Sequence, residues 1–464
     1  MLNRLCASHV LGLSGYALML LLAACSSEGG GGETTAETMS DFSVAEPAHD
    51  ASVTTTTRSE WSVGGVVTGR TERTTIAPAE PPAIVAVPPP EEVAPQPVAQ
   101  SGLLTAGDHD DLLNPELYAD YASRTLQRLG GNLPFVDTRT RVAVTVTGSD
   151  GRPAPFARVE VARPGQPLRL VTAADGTASY YPRFDRVPAR TTVSVASTAG
   201  TVRKVVNVGR GGRRVAVALP GAAPGVSAMD VVLVIDATGS MGDEMRYLQA
   251  ELDAVVARFR REAGNLDLRI GLIAYRDEGD EYVVRSSPLS RDLRATRAAL
   301  AAQEADGGGD MPEAVDQAML AAERMRWRPD AAKAVLLVAD APPHEEGMAP
   351  ALGSAARLRS RGVQIVPVAA SGVDDTAQYV MRTMAALTQG RYVFLTDDSG
   401  VGNSHAEPDV ACYVVTRLDQ LLARVLAGIA EGRRIEPAPG EVVRAVGSYD
   451  RGRCRGVQVA SRRQ

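Results

Sequence analysis

The chain has 464 residues, 44% hydrophobic and 22% charged, and carries a net charge of −6 at pH 7. These values describe a globular chain. With no basic tract anywhere, they give no footing for nucleic-acid binding.

The first predicted element is a leader. Met1 to Ala24 holds a single charge, Arg4, and an apolar core from Val10 to Leu22, too short for a comfortable membrane span and read as a signal peptide that is removed. It ends Leu22-Ala23-Ala24-Cys25, which resembles the bacterial lipoprotein lipobox; an ordinary A-x-A cleavage with an incidental cysteine is the other reading. The resemblance implies that Cys25 is lipidated and becomes the new N-terminus, anchoring the protein in the cell envelope. Ser26 rather than Asp follows, which by the usual sorting rule favours the outer membrane. Residues 25–102 are dominated by Gly, Thr, Ala, Pro and Glu, including Gly29 to Gly32 and Pro88 to Pro90. Too little apolar surface exists there to offset ordering, so a disordered tether is expected.

Residues 103–137 are predicted as a helical segment. Asn114-Pro115 is an N-cap followed by proline at the first helical position, and Leu117, Tyr121, Ala122, Leu126 and Leu129 form a stripe up to Gly130-Gly131 that needs a partner surface. Asp108, Asp110 and Asp111 lack the glycine and terminal acid of a calcium loop and read as helix-start charge.

Over 138–221 the period becomes two: Arg141 to Thr147, Ala157 to Ala162, Thr191 to Val195 and Val202 to Val208 alternate, with turns at Asp150-Gly151 and Asp175-Gly176. A small antiparallel β-sandwich is expected. It looks like the immunoglobulin-like or carboxypeptidase-regulatory-like modules of exported proteins, in a spacer or docking role.

From 226 to 432 strand and helix alternate, the mark of a doubly wound α/β sheet. Strands are predicted at Val231 to Ile235, Leu268 to Tyr275, Val335 to Ala339, Val363 to Ala369 and Arg391 to Leu395, with Tyr282 to Arg285 as an antiparallel edge. The helix after the first strand turns Leu248, Leu252, Val255, Val256 and Phe259 inward, and others begin near Asp292, Pro312, Met348, Thr376 and Val414. Residues 433–464 are an extension. Once Cys6 and Cys25 are set aside, only Cys412 and Cys454 remain, either disulfide-bonded or free.

The chemistry sits where strands end. After Ile235 the chain reads Asp236-Ala-Thr238-Gly-Ser240, so one carboxylate and two hydroxyls at alternate positions can converge as hard ligands for Mg2+, Mn2+ or Ca2+. The same residues also read as a strand followed by a capped helix, with Ser240 as the cap. A second buried run ends at Asp340, and a loop Gly307-Gly-Gly-Asp310-Met-Pro-Glu313 lies between. This pattern resembles a von Willebrand factor A domain, whose metal-ion-dependent adhesion site uses D-x-S/T-x-S, a Thr from a second loop and an Asp after the fourth strand. The resemblance implies Asp236, Thr238, Ser240 and Asp340 as ligands around the switch in strand order. In place of the Thr it leaves Asp310, the residue expected to ligate from the second loop.

Asp277, Asp398 and His405 are candidate rim or partner-contacting residues, and His344 is read as a loop hydrogen-bonder. No G-x-S-x-G elbow, H-E-x-x-H pair or Walker A loop occurs, so a non-enzymatic module that binds a protein through or near a divalent cation is expected. A structural lipoprotein whose metal only pins the fold, and a metal-dependent hydrolase, are the other readings.

Overall fold

The computed structural model describes residues 100–457 apart from 101, 131–132, 199, 210 and 401–403, with only the backbone of Asp243. Cys25, the leader and nearly all of the tether lie outside the described residues.

The chain first forms β1 (Thr105–His109) and α1 (Pro115–Leu129), the latter closed by Gly130 in the left-handed conformation. It then makes the β-module from β2 (Val142–Thr147), β3 (Arg158–Val161), β4 (Leu168–Val171), β5 (Thr177–Tyr180), β6 (Arg190–Ser197), β7 (Gly200–Asn207) and β8 (Arg213–Ala218). These pair as a three-stranded sheet, β5-β2-β8, and a four-stranded sheet, β4-β3-β6-β7. Alternate residues such as Val142, Val144, Val159, Val161, Val193 and Val195 fill the space between them. The module departs from a purely antiparallel sandwich in one place, since β2 and β8 run parallel.

The remaining elements are β9 (Ala228–Asp236), α2 (Gly242–Ala263), β10 (Asp267–Tyr275), β11 (Val284–Ser290), α3 (Leu293–Ala301), α4 (Val315–Arg324), β12 (Ala332–Ala339), α5 (Glu345–Ser360), β13 (Val363–Ala369), α6 (Asp375–Thr388) and β14 (Tyr392–Thr396). They are followed by β15 (Tyr413–Arg417), α7 (Leu418–Glu431) and β16 (Arg444–Val446). Among the described residues the main sheet has nine strands in the order β11-β10-β9-β12-β13-β14-β1-β15-β16. β9 and β12 are buried along their whole length, as expected of parallel strands covered by helices on both faces. Helix α2 packs on α7 over one face, while α4, α5 and α6 cover the other.

Two expectations need correction. The region near Val414 begins as a strand, β15, and its helix starts four residues later at Leu418. Residues 103–137 are not a separate helical segment. β1 lies inside the main sheet, antiparallel to both β14 and β15, so the β-module is an insertion within the α/β domain. Gly107 makes this possible: a Cβ there would lie 2.6 Å from the ring of Phe394 on β14. Asp110 accepts the amides of Leu112 and Leu113 in the turn before α1, but Asp108 and Asp111 are not helix-start charge. Asp111 is buried against Arg382 (2.7 Å), and Asp108 against Arg434 (2.9 Å).

The module rests on the amino-terminal ends of the parallel strands. Asp185 and Arg359 of α5 form a buried ion pair at 2.5 Å, Tyr181 donates its hydroxyl to the Ala386 carbonyl, and Gly432, just past α7, lies against Ala174 and Asp175. The carboxyl ends of the strands, at the opposite edge of the sheet, are left clear of it.

Candidate functional site

The switch in strand order falls between β9 and β12: the chain leaves β9 for β10 on one side and returns to β12 on the other. Side chains beyond the carboxyl ends of these two strands therefore face a common crevice. Asp236 ends β9 and is fully buried; Asp340 directly follows β12 and is 4% exposed.

The loop after β9 is a 3-10 turn over Gly239–Met241, so Ser240 does not cap the following helix. Its hydroxyl belongs to a chain of polar groups instead. Asp236 Oδ1 accepts the Thr238 amide at 3.0 Å and the Thr238 hydroxyl at 2.7 Å; Thr238 Oγ1 lies 3.2 Å from Ser240 Oγ, and the Ser240 hydroxyl is near enough to favour the charged form of Asp340. Ser240 is exposed and forms the mouth, with Asp236 as the floor. Asp236 Oδ2 and Asp340 Oδ1 are buried with no hydrogen-bond partner. A buried polar atom without a partner is costly, and two on facing carboxylates are the donors a hard cation needs. Burial, and then the field of Asp340, push the Asp236 carboxyl up to about 7; burial also raises Asp340.

The second loop is set differently from expectation. Asp310 is exposed, and its charge helps raise the His344 imidazole. Gly307 and Gly308 take positive φ, and the Glu313 amide bonds to the Pro342 carbonyl at 2.9 Å, just beyond Asp340. The turn so formed sends Asp310 outward and Glu313 inward. Glu313 is 3% exposed, and its Oε2 has no partner. A Cβ on Gly308 would sit 3.0 Å from Glu313 Oε1 and 3.3 Å from Thr238 Cβ, so only glycine lets the loop approach. Burial first, then the fields of Asp236, Asp277, Asp340 and Asp280, raise the Glu313 carboxyl to about 9. From sequence, an acid after Met311-Pro312 at a helix start is ordinary first-turn charge, so nothing marked it.

Backbone bonds tie the two loops together, Gly239 N to Gly307 O (3.1 Å) and Asp306 N to Ala237 O (3.0 Å), while Arg276 Nε bonds to the Ala237 carbonyl at 3.2 Å. Asp277 is 8% exposed and pairs with His344 Nε2 at 2.6 Å. That hydrogen bond is the main cause of the raised His344 pKa, so His344 is an acid's partner at the rim. Asp398 is held by Arg444 at 2.8 Å. His405 is buried between Asp397 (2.9 Å) and Glu244 (3.6 Å), and Glu244 accepts the Ser371 amide at 2.9 Å. Both candidate rim residues thus lock their loop to the fold. A Cys412–Cys454 disulfide ties the C-terminal hairpin to β15.

Among the described residues no three His, Cys, Asp or Glu side chains are gathered to hold an ion by themselves. The donors here mix carboxylates with the hydroxyls of Thr238 and Ser240, which suits the oxygen-rich shell of Mg2+ or Mn2+.

Residues 230–405 match the model of the von Willebrand factor type A domain, and the chain contains that domain. The matched stretch runs from β9 into the loop after β14, while β1 and β15 of the same sheet lie outside it. The chain is 30% identical over 118 residues to the alpha-protein kinase vwkA of Dictyostelium discoideum, covering 25% of this chain and 19% of that protein. It is 33% identical over 131 residues to the putative ariadne-like RING finger protein R811 of Acanthamoeba polyphaga mimivirus, covering 26% of this chain and 12% of that one. The chain thus spans under a fifth of each of these curated relatives. Among solved structures, the conserved hypothetical protein BatB from Bacteroides thetaiotaomicron is 14% identical, with a TM-score of 0.32 over 44% of this chain and 100% of that one. The pilus adhesin SpaC from Lactobacillus rhamnosus GG is also 14% identical, with a TM-score of 0.32 over 53% of this chain and 33% of that one.

Proposed function

We propose that this chain is a non-enzymatic, protein-binding module whose rim holds one divalent cation, and that a lipidated Cys25 anchors it at the cell envelope. The observation that carries the reading is the pair of buried, unpartnered oxygens, Asp236 Oδ2 and Asp340 Oδ1, at the ends of the two strands that flank the switch point, with the hydroxyls of Thr238 and Ser240 beside them and the buried Tyr275 hydroxyl next to Asp236. Asp236, Thr238, Ser240 and Asp340 would hold the ion, with a carboxylate from the second loop. The ion would supply a positive, hard Lewis-acid centre at the mouth, able to bind an oxygen of a partner. What the chain itself does is hold the donors in register through the Gly239–Gly307 and Asp306–Ala237 bonds.

The β-module sits at the far end of the strands and leaves the rim open to a large partner. The Cys412–Cys454 disulfide supports an oxidising compartment, in keeping with export.

The test is capture from envelope extract on immobilised protein. A partner should be held by wild type in Mg2+ and released by chelator, and Asp236→Ala should hold none. Equal capture in all three conditions would remove the cation from the interface.

A further inference from the structure

In the resemblance set out above, the second loop supplies a neutral hydroxyl; here it supplies an acid, and the acid that faces the crevice is Glu313. We infer that Glu313 is the second loop's ligand and that the loaded site therefore takes a neutral oxygen, a hydroxyl or amide of its protein partner, in preference to a carboxylate. This deepens the cation reading above and rests on it.

The charges around the crevice sort into those already compensated and those that are not. Asp277 is paired with His344. Asp280 accepts the amides of Asp277 (3.0 Å) and Gly308 (2.9 Å). Arg276, the guanidinium nearest the loops, is shared by Glu281 at 3.8 Å and Asp306 at 3.7 Å. Glu244 is held by Ser371 and faces His405. Asp236, Asp340 and Glu313 remain. Each is nine-tenths or more buried, each has an oxygen without a partner, and among the described residues none makes an ion pair with a cationic side chain. Among the described residues the three are not gathered within coordinating reach of one point, so Asp236 and Asp340 would hold the ion and Glu313 would be drawn in by its charge, and the ion with all three carboxylates leaves about one net negative charge. In a buried crevice that charge repels an incoming carboxylate, whereas an uncharged oxygen meets no such repulsion. The same surplus charge holds the ion more firmly than two carboxylates would.

Asp310 is the control. It is exposed and belongs to the surface near His344, so its charge is screened by solvent and should matter little to the ion.

The test uses the whole protein and Mn2+. Calorimetry should show Glu313→Gln weakening Mn2+ at least tenfold and Asp310→Asn changing it less than twofold. With each protein saturated in Mn2+, acetate and acetamide are then titrated, and proximity is read from paramagnetic relaxation of their methyl protons. Wild type should bind acetate no more tightly than acetamide, and Glu313→Gln should gain at least tenfold for acetate alone. If Glu313→Gln fails to fold, Glu313→Thr takes its place. Failure of wild type to bind Mn2+ sinks the cation reading and this inference together. If wild type binds Mn2+ but prefers acetate, or if Glu313→Gln holds the ion as tightly as wild type, the cation reading stands and the inference is overturned.

Discussion

The carboxyls of Asp236, Asp340 and Glu313 are all buried, and burial is the first cause that raises each. Asp236 is raised from its ordinary value near 4 to about 7, chiefly by burial, so in the fold its protonated form is favoured. Its contribution to stability is complete below the unfolded value and is lost as pH rises toward 7. The metal-free protein should therefore melt at progressively lower temperature between pH 4 and 8. Saturating Mg2+ should cancel most of that loss by binding the native state alone, worth about 2.7 kcal/mol at a hundredfold excess over Kd. Asp236→Asn should lessen the pH dependence below 7 while leaving the part that Glu313, raised to about 9, contributes, should remove the Mg2+ response and, at pH 8 without metal, should melt at or a few degrees above wild type; calorimetric scans across pH check all three. Asp236, Thr238, Ser240 and Asp340 were legible in the sequence because strand ends and alternate spacing fix them locally. Glu313 was not, because its direction depends on the torsions of Gly307 and Gly308 and on a bond from its amide to Pro342, 29 positions along the chain.

β1 shows how an element can be hidden by its own composition. Thr-Ala-Gly-Asp-His carries no alternating apolar pattern, yet all five residues are buried, because strands pair with both its edges and distant arginines meet its acids. Arg382 reaches Asp111 across 271 positions and Arg434 reaches Asp108 across 326, separations that no local reading bridges. The long apolar strands β9 and β12, by contrast, declare themselves. Gly107→Ala places a methyl group in the Phe394 ring and should cost about 1–3 kcal/mol as overpacking, measured by chemical denaturation. The C-terminal staple belongs to the same edge of the sheet. Cys454→Ser opens a loop spanning 42 positions and should cost about 2–4 kcal/mol. Wild type in reductant should fall to the same denaturation midpoint; a midpoint indifferent to reductant would show that the bond adds nothing.

On the scale of the whole molecule, the β-module interrupts a single α/β domain, which is why its sequence reads as an independent unit between two others. The α/β domain should then depend on residues that precede the module. A chain beginning at residue 226 lacks β1 and exposes the facing edges of β14 and β15, so it should be insoluble, while a chain beginning at residue 100 should give the far-UV circular dichroism of the whole. Good solubility and native helicity in the shorter chain would show that β1 is dispensable. The module's position at the amino ends of the strands, fixed by Asp185–Arg359 among others, leaves the rim at their carboxyl ends clear of it. All of this turns on whether the rim takes an ion. Calorimetric titration of Mg2+ and Mn2+ into chelator-treated protein should give one ion per chain for wild type and none for Asp236→Asn/Asp340→Asn with unchanged circular dichroism; wild type taking up no ion at millimolar concentration, or the double variant binding as wild type does, would contradict it.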